Sequence, residues 1–236
     1  MVQGACQTAD TPPSTSERAQ LLAPLWHTQV LVALMLAVAA TATLTSQQAQ
    51  ETATAVGSGY VPLVVVNAGL ALYVSRLGLR HRIFAALFSQ GRYDTRRALG
   101  DLVCAGALVL LLLLAENGFQ TLLGVPESTA AHALLSGTPA AKLAWLGVAV
   151  LVAFSEELVY RGYLQRQLGA LSGQVSFGIV AQALLFGIAH GEQGPWAVAR
   201  FAVYAVVLGW VATSRRSLLP GVLCHIAIDW YAALSI

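Results

Sequence analysis

Six side chains able to carry charge or move protons lie in otherwise apolar stretches of this chain: Glu156, Glu157, Arg161, His190, His225 and Asp229. Glu156 and Glu157 follow residues 143–154, an almost unbroken apolar run, so both carboxylates fall well inside a membrane-length helix. A bare carboxylate at that depth costs several kcal/mol unless it is paired, neutralised or turned toward water. Arg161 stands four residues after Glu157, one helical turn on, in the acid-first order that favours an ion pair. Glu156 is left without a local counter-charge. His225 and Asp229, also four apart, share one face of the last apolar segment, and His190 closes another.

These are groups of the kind that activate water. Peptide hydrolysis needs an activated water, a base beside it and donors for the tetrahedral oxyanion. Two arrangements meet that need. Glu156, His190 and His225 could hold a zinc ion with water at the fourth position. Alternatively, Glu156 and His190 polarise the water directly, with His225 and Asp229 on the oxyanion side and no metal. The chain has no H-E-x-x-H helix, no G-x-S-x-G elbow and no paired-aspartate signature. The same residues would also suit a proton- or metal-coupled transporter. Transporters, however, tend to break helices at corresponding places in two repeated halves, whereas these polar residues all lie in the second half.

The elements that must carry them are membrane helices. Hydrophobic residues make up 57% of the chain and charged residues 10%, against about 25% charged in soluble domains. A net charge of +2 with no basic stripe gives no reason to expect nucleic acid as a partner. Cys6, Cys104 and Cys224 show no metal spacing, and the last two lie in apolar runs as packing residues. The pattern predicts an all-α polytopic bundle of about seven transmembrane helices, near 25–44, 59–75, 98–115, 140–168, 175–190, 195–213 and 217–236. Residues 1–23 read as a polar, disordered lead-in, 24–139 as three amino-terminal helices with their loops, and 140–236 as a catalytic core. Residues 83–88 fit either a short interfacial helix or a plain loop. Arg200, near the Pro195 end of its segment, is expected to snorkel to the surface.

Three motifs in order carry a resemblance. Glu156-Glu157-x-x-x-Arg161, Phe186-x-x-x-His190 and His225-x-x-x-Asp229, with flanks Arg161-Gly162-Tyr163-Leu164-Gln165 and Ser217-Leu218-Leu219-Pro220, resemble the CPBP family of intramembrane proteases. That family comprises the CAAX-processing endopeptidases and bacterial relatives linked to bacteriocin processing and immunity. The resemblance covers roughly residues 140–236. It implies an intramembrane endopeptidase acting on a membrane-associated peptide or protein, with Glu156 activating water, His190 as its partner, and Glu157 and Arg161 in structural roles. A catalytically silent immunity protein is the family's other possibility. Where the family often has asparagine, this chain has Asp229, and an ionised aspartate cannot donate to an oxyanion. Asp229 must be protonated, orient His225 or assist a metal. The Ala- and Leu-rich composition fits a multi-pass protein of a bacterial inner membrane.

One tension concerns depth. Glu156 precedes Arg166 by ten residues, about 15 Å of helix, and His225 lies comparably deep, whereas His190 falls near the far end of its segment. The levels meet if residues 172–174 turn inside the membrane zone or 191–194 is re-entrant.

Loop charge sets the orientation. Arg76, Arg80, Arg82, Arg92, Arg96 and Arg97 face a single Asp94, which places that connection in the cytoplasm and 118–139, lacking Lys and Arg, outside. In a background without the native cysteines, Arg92→Cys and Glu127→Cys should label from opposite faces of intact cells. Labelling from one face would refute the seven-span order.

Overall fold

The computed structural model describes residues 21–52, 60–76, 93–124 and 138–235. Most of the polar lead-in, residues 83–88, and parts of the connections 76–97 and 118–139 lie outside the described residues. Among the described residues the ordered elements are all helical: α1 (Leu25–Thr52), α2 (Tyr60–Ser75), α3 (Thr95–Leu123), α4 (Pro139–Glu156), a π-helical stretch (Glu157–Leu164), α5 (Gln165–Ser172), α6 (Val175–Ile188), a 3₁₀ turn (Gly191–Gln193), α7 (Pro195–Arg215) and α8 (Leu219–Ser235). Since α4, the π stretch and α5 form one rod, the fold is an all-α bundle of about seven helices.

Four spans, Leu25–Ser46, Thr95–Leu122, Pro139–Ser172 and Pro195–Arg215, are long and apolar enough to cross a membrane. Helices α2, α6 and α8 are apolar but shorter, at 16, 14 and 17 residues. Two helices run past their expected ends. Helix α1 continues through the polar residues after Leu44 to Thr52, because neither Gly nor Pro interrupts it there. Helix α3 is capped at its start by Asp94, whose side chain accepts from Arg97 N, and ends only before Gly124, which takes the left-handed φ of 62°. Gly118, expected to open a loop, is inside it.

The rod Pro139–Ser172 has 34 residues, about 51 Å at 1.5 Å each. It exceeds a hydrocarbon core of about 30 Å. Thr138 caps its start, accepting from Ala141 N at 3.2 Å. Gly173, at φ 71°, closes its end and turns the chain back into α6. At 14 residues, α6 is only about 21 Å long, so His190 at its end need not lie at a membrane surface. The 3₁₀ turn that follows packs under α1, with Ser46 Oγ donating to the Glu192 carbonyl at 3.2 Å. This accounts for the depth of His190 with a short helix and one small turn, not an extended re-entrant loop.

Lipid offers helices no hydrophobic reason to associate, so close packing and interhelical hydrogen bonds must do it. The residues leading into α1 dock on the rod through Gln167, whose Oε1 accepts from Leu22 N (2.7 Å) and Ala23 N (3.2 Å) while Nε2 donates to Ala23 O (2.7 Å). Tyr163 OH meets His27 Nδ1 at 2.8 Å and Thr28 Oγ1 at 2.9 Å. Helix α3 is latched to the α7–α8 turn at buried Asp101, which receives Arg215 Nη2 (2.6 Å) and Nε (3.0 Å), Ser217 Oγ (3.0 Å) and Tyr93 OH (3.1 Å).

Helix α6 lies so near α5 that a Cβ at Gly178 would stand 2.2 Å from the Gln165 carbonyl oxygen. Because that atom is backbone, Gly178→Ala should destabilise by at least the ~1–3 kcal/mol typical of overpacking. Gly106→Ala, with nothing within 4 Å, should be neutral. Thermal melting of both variants in detergent checks the contrast; equal melting points would refute the close approach.

Candidate active site

The π-helical stretch begins one residue after Glu156, and all eight of its residues are buried. Closing hydrogen bonds at i→i+5 rather than i→i+4 widens the turn, a rare local geometry found often at functional sites. Within it Arg161 Nη1 meets Glu157 Oε1 at 2.9 Å, both side chains out of solvent. The guanidinium lies 4.6 Å over the Phe186 ring and 6.0 Å over Tyr160, an electrostatic contact that strengthens when desolvated. Helix α8 can approach this pair because position 221 is glycine: a Cβ there would stand 2.8 Å from Glu157 Oε2.

One turn after Gly221, His225 enters between the carboxylates. Its Nδ1 is 3.5 Å from Glu157 Oε1, and its Nε2 is 3.7 Å from Glu156 Oε2 and 3.8 Å from Asp229 Oδ2. These lengths lie just beyond direct hydrogen bonding, as catalytic contacts often do before substrate binds. Glu156, His225 and Asp229 keep 15%, 13% and 22% of their side chains exposed, whereas Glu157 keeps 1%. The first three line an accessible face; Glu157 stands behind it. Two indoles fix α8 in register with α4: Trp145 Nε1 donates to Asp229 O at 3.2 Å and Trp230 Nε1 to Leu146 O at 2.9 Å.

His190 joins this group through aromatic rings. Phe186 lies 4.6 Å from its ring centroid and 6.2 Å from that of His225. His190 Nδ1 is 2.8 Å from the Phe186 carbonyl. A carbonyl only accepts, so Nδ1 carries a proton, and in the neutral form of the ring the lone pair lies on Nε2. No hydrogen bond joins His190 to Glu156 directly. The structure therefore brings Glu156, His225 and Asp229 into one cluster and sets His190 beside it across Phe186.

Among the described residues, no group of three or more His, Cys, Asp or Glu side chains is arranged to hold a metal ion. Glu156, His190 and His225 do not form such a group, although the Nδ1–H held by the Phe186 carbonyl leaves His190 Nε2 free as a ligand atom.

Residues 138–231 match the family model described as Type II CAAX prenyl endopeptidase Rce1-like. Over that carboxyl-terminal segment the chain is similar to the Rce1-like family. The match agrees with the CPBP resemblance; the family it matches is one of proteases, and the apolar helices mark an integral membrane protein. No curated protein and no solved structure matches the chain.

The Rce1-like segment contains one feature that the sequence misplaced. Arg200 does not snorkel: its Nη1 meets Glu116 Oε1 of α3 at 2.5 Å. The partner lies 84 residues away, so no local pattern could have supplied it. The π stretch and the Trp145 and Trp230 anchors were also missed. Gly221, a glycine inside an apolar helical pattern four residues before His225, is a legible hint of close approach at the site.

Arg161→Ala would leave Glu157 buried without its counter-charge, which typically costs about 3–5 kcal/mol. The expected outcome is a large drop in melting temperature and in yield of monodisperse protein. Melting within error of wild type would contradict the pairing.

Proposed function

We propose that this chain is an intramembrane endopeptidase that hydrolyses a peptide bond of a membrane-associated substrate, using water activated by Glu156 without a metal. The observation that carries the reading is the convergence of Glu156, His225 and Asp229, from two helices, within 4 Å of one imidazole nitrogen in an otherwise apolar bundle. Each group is costly in lipid, and a partly accessible face is where water would meet it. The Rce1-like match adds the family's chemistry, and its description points to the carboxyl-terminal tail of a prenylated protein as the substrate class.

In this reading Glu156 accepts a proton as the water oxygen attacks the scissile carbonyl. His190 Nε2 accepts the second hydrogen bond of that water and fixes its orientation. An N–H at His225 Nε2 donates to the oxyanion, the ring being oriented through Nδ1 by the Glu157 carboxylate at 3.5 Å. Asp229, 3.8 Å from the same Nε2, holds that N–H until the oxyanion forms and needs no donor of its own. Glu156 then returns the proton to the leaving amine as the carbon–nitrogen bond breaks. Glu157 and Arg161 hold the helix behind the site and touch no substrate.

Purified protein in proteoliposomes, given a farnesylated peptide ending in a CAAX sequence with a quenched fluorophore, tests the proposal. Glu156→Gln should abolish cleavage, a loss of at least about 100-fold for a general base, while the variant stays inserted and monodisperse. Phenanthroline should leave wild-type cleavage intact. Wild-type rates in Glu156→Gln would remove the base from the mechanism. Chelator inhibition reversed by zinc would replace the metal-free route with one in which Glu156, His190 and His225 are ligands.

A further inference from the structure

His190 is held by a carbonyl and two aromatic rings, and one of those rings leads out of the Rce1-like segment. Phe201 packs on the imidazole with centroids 4.2 Å apart and planes 30° from parallel. The Arg200 guanidinium sits over the same Phe201 ring at 5.0 Å. Arg200 is anchored in turn by Glu116 of α3, Nη1 to Oε1 at 2.5 Å. The second oxygen of Glu116 accepts from Tyr204 OH at 2.7 Å, and Gln120 Nε2 donates to the first at 3.0 Å. Glu116 is thus fastened to α7 at two points one turn apart, on either side of Phe201.

We infer that Glu116 and Arg200 are positioning residues that set the plane of the His190 ring through Phe201, so that α3 contributes to the site from outside the matched segment. Apolar packing alone holds a membrane helix loosely in register, because lipid competes equally for its surface. The Glu116 carboxylate removes that freedom where Phe201 meets the imidazole. Without it, Arg200 loses its counter-charge and its long side chain can swing toward the interface, freeing the Phe201 ring to change rotamer. The Nε2 lone pair of His190 then no longer points in one direction. The inference rests on the proposed role of His190 in orienting water, but its geometric half can be measured without any reaction.

Glu116→Gln keeps the size of the side chain and removes its charge. With the farnesylated CAAX peptide it should lower kcat by about 10- to 100-fold, as expected of a small misplacement near the chemistry, with KM unchanged. In ¹⁵N-histidine-labelled protein, with the His190 signal assigned by His190→Gln, the imidazole nitrogens should move away from the fixed Nδ1–H pattern. Pairing Glu116→Arg with Arg200→Glu should recover part of both. Asp101→Asn, which loosens the other anchor of α3, should lower the melting temperature and leave the His190 signals in place. Wild-type kcat and wild-type His190 signals in Glu116→Gln would overturn the inference, as would equal movement of those signals in Asp101→Asn. Should Glu116→Gln fail to fold, Phe201→Leu, which keeps the ion pair, must show the same shift and the same loss of kcat; no change refutes the inference. If the wild-type protein cleaves nothing, the proposed function fails and the imidazole signals still decide the positioning.

Discussion

A fully buried ion pair fixes the rest of this structure. Glu157 and Arg161 sit inside a helix whose surroundings are apolar, and neither charge can be tolerated there alone. Their meeting requires a rod that brings positions four apart together, an aromatic floor for the guanidinium in Phe186, and a facing helix without a side chain at Gly221. Those same conditions place the next residue back, Glu156, beside His225. The functional acid is thus presented by a structural one. Adjacent glutamates, which look redundant in sequence, divide the work between a charge that is paired and buried and a charge that is left partly accessible.

The helices outside the Rce1-like segment meet the rest of the bundle by polar contacts as well as by apolar packing, in which Leu31, Met35 and Val74 join Leu158, Val159 and Tyr160. Tyr163 receives α1 at its first turn and Gln167 the residues leading into it, and Asp101 ties α3 to the start of α8. Each contact satisfies a backbone or side-chain group that lipid would leave bare, so it serves both as glue and as compensation. The site therefore depends on segments whose sequences carry no chemistry of their own.

Much of this was legible in the residues. Apolar runs marked the helices, and the i, i+4 spacings of Glu157 with Arg161 and His225 with Asp229 placed each pair on one face. What escaped was set by tertiary partners. The ends of α1 and α3 were drawn short because polarity was read as loop, whereas Glu116 stays helical with Arg200 and Tyr204 to meet it. The π-helical stretch leaves no mark on a pattern of hydrophobicity, because a change of hydrogen-bond register does not alter which residues are apolar. The depth of His190 is left open by the sequence, because the extent of α6 is legible within a turn but the packing of the turn after it under α1 is not.

That short helix has a consequence for the bilayer itself. Phe177, Val180, Leu184 and Ile188 form an exposed apolar stripe along α6, yet the helix offers lipid only about 21 Å of length. That is shorter than a hydrocarbon core of about 30 Å. A shortfall of this kind is met by thinning of the bilayer, by flanking residues that reach the interface or by association with neighbouring helices, each at fractions of a kcal/mol per Å. Along α6 the neighbours α5 and α7 pack closely on the other faces, so most of its shortfall is set against protein and only the 177–188 stripe is left to lipid.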